Sequence, residues 1–269
     1  VSPTGTLVLD AMITSVLKSF FFARKHHLQF SDPLNYLYIF NEIFINKDYD
    51  AVVPHEGSCV FDIGGNIGLY TLYLGTQHKN IDIHVFEPVS TLFKQLEHNS
   101  IDAAAHNTIH LNNIGLSNAN TETTINFFPR ASGLSTLKDD IYDKRDISVR
   151  WRSRNALFPR LSRFLLTTLS KAHLRSKKEK VTLIRLSDYI DSRKIEVIDI
   201  IKIDVEGHEL EVLQGIEPRH FHLINSFIIE VENFREGYQD KIVSLLEEQG
   251  YHISITAEKE PWSLVVAKR

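Results

Sequence analysis

The chain has 269 residues, 43% of them apolar and 24% charged, which is the composition of an ordinary folded protein and excludes a disordered or fibrous one. Its single cysteine, Cys59, excludes an internal disulfide and any CxxC metal cluster, and fits a reducing, cytoplasmic setting. The net charge of −4 is unevenly spread: residues 129–180 carry +9 and the remainder −13, a contrast that points to a local partner more than to the fold.

The chain opens on Val, as a piece trimmed from a longer polypeptide would. Residues 7–22, "LVLDAMITSVLKSFFF", are apolar but interrupted by Asp10 and Lys18, too short and too charged to cross a membrane. They predict an amphipathic helix, and residues 1–55 as a whole predict a helical arm broken at "SDPLNY". From residue 56 onward, β-rich runs alternate with helical patterns. The strands are "SCVFDI", "IDIHVFE", "TIHLNNIGL", "IDIIKIDV", "SFIIEVE" and a final pair, "YHISI" with "SLVVAK". The helices are "STLFKQLEHNSI", "EGHELEVLQGI" and "DKIVSLLEEQG", with Gly215 and Gly250 where C-caps belong. Such alternation predicts an α/β fold over 56–269: a mostly parallel sheet, helices on both faces, and a closing antiparallel hairpin. Residues 129–180 break the alternation as a basic insertion.

The turn after the first strand, "CVFDIGGNIGLYTLYL", carries the functional question. Gly64, Gly65 and Gly68 miss the GxGxxG spacing, no Gly-Lys-Ser/Thr ending follows, and no basic residue within the turn would neutralise a phosphate. An acid, Asp62, stands at its entrance instead. S-adenosylmethionine suits this better: it carries a sulfonium and an ammonium and no phosphate. Asp62 is then expected to face the cationic portion, and the glycines to let the backbone approach the cofactor. Glu87, at the end of the next strand, is placed to accept the ribose hydroxyls.

"VFDIGGNIGLYTLYL", "HVFEP" and "IIKIDVEGHELEVLQG" resemble the FkbM family of methyltransferases, whose hallmarks are D-x-G-x-N-x-G, an acid-Pro pair and K-x-D-x-E-G-x-E. The resemblance runs over residues 47–128 and 181–269, leaving the arm and the insertion uncovered. It implies a class I, Rossmann-like fold with a seven-stranded sheet and S-adenosylmethionine-dependent O-methylation of sugars or hydroxylated natural products. Matched position by position, Asp62, Gly64, Asn66 and Gly68 form the cofactor turn, with Gly65 beside them, and Glu87 is the ribose acid. Asn113 falls where the adenine edge is contacted, with Asn112 an equal candidate.

Lys202, Asp204 and Glu206 alternate along "IKIDVEG", and with His208 they lead to the carboxyl end of a strand, where ligands of open α/β sheets bind. Glu230, Glu232 and Asn233 end the following strand on the same rim. Asp204 or His208 is the expected general base, with Glu206 and Lys202 fixing the geometry. The rival is a Mg²⁺ or Mn²⁺ ion on Asp204 with Glu230 or Glu232. Glu206 could instead serve only the helix dipole, and His208 be merely exposed. Neither the adjacent pair His26 and His27, expected to be exposed, nor the other histidines show metal-ligand spacing. In the insertion, Trp151 and Arg152 suit a lid over a sugar acceptor; a nucleic-acid surface is the weaker reading and a solvated basic face the plain one. The competing functions are an RNA or protein methyltransferase, and a cofactor-binding module without turnover.

Overall fold

The computed structural model describes residues 3–129, 132, 135, 137, 176–232, 236–259 and 262–269, with the backbone alone for 3–12, 232 and 256–259. Trp151, Arg152, Asn233 and nearly all of the expected insertion lie outside the described residues.

The main sheet has seven strands in the order β3-β2-β1-β7-β8-β10-β9. These are β1 (Cys59–Ile63), β2 (Asp82–Phe86), β3 (Thr108–Asn112), β7 (Ile200–Ile203), β8 (Ser226–Glu232), β9 (His252–Lys259) and β10 (Trp262–Lys268). The first five pair parallel, whereas β10 runs antiparallel between β8 and β9. The expected closing hairpin is present, with the last strand inserted inside its partner and not added at the edge. The order reverses at β1, so the carboxyl ends of β1 and β7 flank the crevice where such sheets bind ligands.

The apolar runs are continuous because both faces are covered. Val60, Ile83 and Val85 face one layer, with α3 (Leu69–Gln77) and α4 (Ser90–Asn99). Phe61, Ile63 and Phe86 face the other, with α5 (Leu186–Arg193), α6 (Glu209–Gln214) and, beyond the short α7 (Pro218–Phe221), α8 (Tyr238–Glu248). The N-terminal arm consists of α1 (Pro3–Lys25), α2 (Pro33–Phe40) and a π-helical turn, Asn41–Asn46. Asp32 caps α2 by accepting from the Leu34 and Asn35 N–H groups. Tyr36, Phe40, Ile43 and Tyr49 of the arm pack with Leu69, Tyr70 and Tyr73, so the arm shares the core of the sheet domain. No helix among the described residues is long and apolar enough to cross a membrane.

One expectation needs correction. "TIHLNNIGL" is not one strand: it breaks after Asn112, and β4 (Gly115–Leu116) joins a second sheet of order β4-β6-β5. In that sheet β5 (Thr121–Phe127) was hidden by its polar outer positions, and β6 (Lys177–Ile184) takes up the last residues expected in the insertion. Its inward Ile125, Phe127, Val181 and Leu183 bury against the first layer. Both glycines stand at helix ends as expected: Gly215 is the C-cap of α6 in right-handed backbone, and Gly250 follows the cap of α8 in left-handed backbone at φ 85°. A Cβ at Gly215 would lie 2.1 Å from the Ser117 carbonyl oxygen, so close packing, and not cap conformation, requires glycine there.

Candidate active site

The turn at residues 64–68 leaves β1 through three positive-φ positions, Gly64 at 83°, Asn66 at 48° and Gly68 at 85°. Asn tolerates this region, and glycine enters it without penalty. Besides the close approach of a ligand that the sequence suggested, packing within the protein requires glycine here. A Cβ on Gly64 would lie 1.9 Å from the Asp204 carbonyl oxygen, and one on Gly65 2.5 Å from the Val85 side chain. They let β1, β2 and β7 close on one another beneath the turn.

Asp62 is likewise an internal group. It is fully buried, accepts a hydrogen bond from Thr71 Oγ1 at 2.8 Å, and meets Lys202 Nζ at 3.2 Å. The two residues are register partners on β1 and β7. Lys202 also donates to the Gly64 carbonyl at 3.1 Å and sits over the rings of Tyr49 and Tyr70. Burial pulls its pKa down, but Asp62 and Asp204 more than offset this, so it stays an ammonium. The expectation that Asp62 faces a bound cation is therefore corrected: Lys202 holds that place.

Glu87 closes the turn from β2. Its oxygens accept from the Asn66 N–H at 3.0 Å and the Val89 N–H at 2.8 Å, fixing the carboxyl against the glycine turn. Burial pushes its pKa up to about 8 despite those two donors. Each oxygen keeps a lone pair for a further donor. Asn113 is exposed, and its amide donates to the Glu87 and Pro88 carbonyls at 2.9 and 3.2 Å, while Asn112 donates to Val85 and His110 carbonyls. Both asparagines brace the end of β2, and Gly115 and Leu116 form the wall beyond them.

Two clefts meet at Gly64, Asn66 and Asp204. One, of ≈ 670 Å³, is lined by Glu87, Pro88, Leu116, Val205, Glu206 and His208. The other, of ≈ 470 Å³, is lined by Tyr38, Glu42, Tyr49, Tyr70, Lys202 and Glu230. Asp204 thus borders both. Its carboxylate lies 3.4 Å from the Tyr49 hydroxyl and 3.6 Å from Lys202 Nζ, and Tyr49 donates to the buried Glu230 at 3.0 Å. Burial and then Glu230 raise the Tyr49 pKa far above the ordinary value, so this hydroxyl stays protonated. Glu232 ends β8, in the stretch described by backbone alone.

Glu206 takes left-handed backbone at φ 56°, an unusual conformation for a non-glycine residue of the sort that gathers at functional sites. Gly207 follows at φ 89°, and Glu209, fully buried, accepts from the Gly207 N–H at 2.8 Å and the Tyr238 hydroxyl at 3.1 Å. The last acid of K-x-D-x-E-G-x-E thus braces the turn that presents Glu206. His208 is not an exposed first-turn residue: its side chain is 12% exposed, and Nε2 lies 2.9 Å from Ser117 Oγ. Tyr38, Glu42, Tyr49 and Ser117 went unnoticed in the sequence, and Glu209 was seen there only as the end of a motif. The tyrosines and Glu42 carry no motif, and only packing around the shared cleft joins them to Asp204.

A family profile described as the methyltransferase FkbM domain matches residues 62–253. The chain belongs to this family of S-adenosylmethionine-dependent methyltransferases. It is 30% identical to methyltransferase sdnD of Sordaria araneosa, over 86% of this chain and 89% of that one. The 31-O-demethyl-FK506 methyltransferase FkbM of Streptomyces tacrolimicus is 27% identical over 83% and 84%. The hexuronic acid methyltransferase AglP of Haloferax volcanii is 24% identical over 80% and 72%. The chain spans only 11% of another relative, the AMB antimetabolite synthetase AmbE of Pseudomonas aeruginosa, at 29% identity.

The donor set fits the cofactor that this family uses. Among the described residues, the cation at the turn, Lys202, is held by Asp62 and the Gly64 carbonyl and is not offered to a phosphate, whereas Glu87 presents fixed acceptor lone pairs to the larger cleft.

Proposed function

We propose that the chain is an O-methyltransferase that binds its methyl donor in the Glu87 cleft and its acceptor in the Tyr49 cleft, with Asp204 as general base. The observation that carries this reading is that Asp204 borders both clefts. When bound, S-adenosylmethionine supplies an electrophilic methyl group on a sulfonium. Glu87 accepts the ribose hydroxyls through the lone pairs that Asn66 and Val89 leave free. His208, held by Ser117, and Glu206, on its braced turn, shape the side of the donor cleft nearest the transfer point. Asp204 takes the proton of the acceptor hydroxyl. Lys202 and Tyr49 orient the Asp204 carboxylate, and Glu230 holds Tyr49.

The acceptor class is a neutral polyhydroxylated compound, a sugar or a hydroxylated natural product. Among the described residues, Glu42, Asp204 and Glu230 line the cleft as acceptors for hydroxyls and outnumber Lys202, a lining that suits neutral hydroxyl groups. The names of two relatives, which print an FK506 and a hexuronic acid acceptor, are in keeping with hydroxyl chemistry. Proton transfer without a divalent ion is favoured, because the Lys202 ammonium already lies beside Asp204 and Tyr49 spans Asp204 and Glu230.

The test is transfer of labelled methyl from S-adenosylmethionine to a panel of neutral sugars and macrolide alcohols, before and after exhaustive chelation. Asp204→Asn is expected to lower kcat by ~10²–10⁴-fold, the typical share of a positioned base, with cofactor affinity unchanged. Near-normal turnover by folded Asp204→Asn and His208→Ala variants would refute the assignment, and loss of turnover on chelation would restore the metal. Transfer to RNA or protein alone would move the acceptor class, and cofactor binding without transfer to anything would mark a module without turnover.

A further inference from the structure

Away from both clefts, the amino-terminal half of β2 carries a second cluster of ligating groups. Asp82 and His84, two apart on β2, point to one face of the sheet, and His110 on β3 is the register partner of His84. One side-chain donor atom from each of Asp82, His84 and His110 lies within 4.8 Å of the other two. The two imidazoles stack at 4.3 Å between centroids, and His110 Nε2 lies 2.9 Å from an Asp82 carboxylate oxygen. Spacing along the sequence gives no sign of this cluster, because its two histidines come from neighbouring strands and are 26 residues apart in the chain.

The second observation is His84 itself. Its side chain is 2% exposed, and its Nε2 has no hydrogen-bond partner, the nearest Asp82 oxygen being 3.7 Å away. Its Nδ1 lies 2.8 Å from the Tyr189 hydroxyl of α5. With Nδ1–H donating to Tyr189, a bare Nε2 lone pair points into the cluster, the arrangement by which an outer hydrogen bond orients a metal-ligating histidine. The alternative tautomer would bury an Nε2–H whose nearest carboxylate oxygen, on Asp82, lies at 3.7 Å, beyond hydrogen-bond reach. Burial keeps the imidazole neutral, the form that ligates.

We propose that Asp82, His84 and His110 bind one transition-metal dication of the zinc class, with water completing the tetrahedron. Two imidazoles and a carboxylate are a zinc-type donor set, and cysteine takes no part in it. A tetrahedral site at about 2.0–2.2 Å per bond brings ligand atoms to roughly 3.3 Å apart. Asp82 and His110, with side chains 44% and 33% exposed, have room to turn inward by that amount, and the same exposure gives the ion its entry. His84 is fixed. The ion would tie the outermost parallel strand, β3, to β2 and α5. It would lie near the opposite end of β2 from Glu87, so it is a structural site and takes no part in methyl transfer.

The experiment uses the full chain stripped with chelator and dialysed. Zinc is titrated by calorimetry, and cobalt(II) by visible absorption, against the wild type, Asp82→Asn and His110→Asn. Both substitutions fall on partly exposed side chains, and metal-free thermal melts establish that each variant folds. The wild type is expected to bind one zinc ion, to show the intense visible bands of tetrahedral cobalt, and to melt higher with zinc. His110→Asn is expected to weaken zinc at least ~100-fold and to abolish those bands. Absence of saturable binding, or binding that survives both substitutions, overturns the proposal and leaves a stacked histidine pair capped by Asp82. Neither outcome depends on methyl transfer.

Discussion

The two clefts that meet at Asp204 are built by different logic. The Glu87 cleft is made of strand ends and tight turns, and the Glu87 carboxyl is held by backbone N–H groups. The Tyr49 cleft is made of side chains from the arm and from β7 and β8, joined through Tyr49, Lys202, Asp204 and Glu230. A pocket of backbone can hold a constant cofactor through wide sequence change, whereas a pocket of side chains is where acceptor choice can vary. Substitutions should therefore act differently on the two sides.

The largest expected effect lies beneath both. Lys202→Met leaves Asp62 charged and buried without its partner, and breaking such a pair typically costs about 3–5 kcal/mol. Chemical denaturation should show that loss, and the double change Asp62→Asn with Lys202→Met should recover part of it. A loss under 1 kcal/mol would mean that the pair is not what holds the turn on β7.

On the donor side, Glu87→Gln places an amide N–H₂ against a backbone N–H and removes an acceptor. Calorimetry should show S-adenosylmethionine binding weakened by roughly 10–100-fold, about 1.5–3 kcal/mol, with the acceptor KM little changed. On the acceptor side, Tyr49→Phe removes the hydroxyl between Asp204 and Glu230. It should lower kcat or raise the acceptor KM by about tenfold and spare cofactor affinity. If either variant moved both affinities equally, the division between the clefts would fail.

A separate effect, on the folded state and not on either cleft, is one of pH. Burial pushes the Glu87 carboxyl up to about 8 and that of Glu209 to about 7, against an ordinary 4.5. Between those limits the folded chain holds protons that the unfolded chain has released. Stability without cofactor should therefore be greatest near pH 4.5, as far as these two groups decide it, and fall as pH rises towards 8. Denaturation midpoints measured across that range should show a shallower fall in Glu87→Gln. A wild-type profile rising over the same interval would contradict the burial of these acids.

The donor side was legible because it is local. "DIGGNIG", "FEP" and "KIDVEGHE" each lie within a few residues, and period-two and helical patterns placed them at strand ends. What they do individually was less legible. Asp62 reads as a cofactor acid until its cross-strand partner, 140 positions later in the chain, is seen to be Lys202. The turn glycines read as ligand clearance alone until the Asp204 carbonyl is found where a Cβ would stand. The arm's contribution was hidden for the same reason: Tyr49 and Glu42 bear no spacing relation to Asp204, and only packing joins them. β5 was missed because one face of it is wet, leaving Ile125 and Phe127 as its only strongly apolar signals.

The most direct test of the division is a crystal structure with S-adenosylhomocysteine bound. The account predicts ribose hydroxyls within hydrogen-bond distance of Glu87, and the sulfur turned towards Asp204 with the Tyr49 cleft left open. A nucleoside lying among Tyr49, Glu42 and Glu230, with the Glu87 cleft empty, would contradict it.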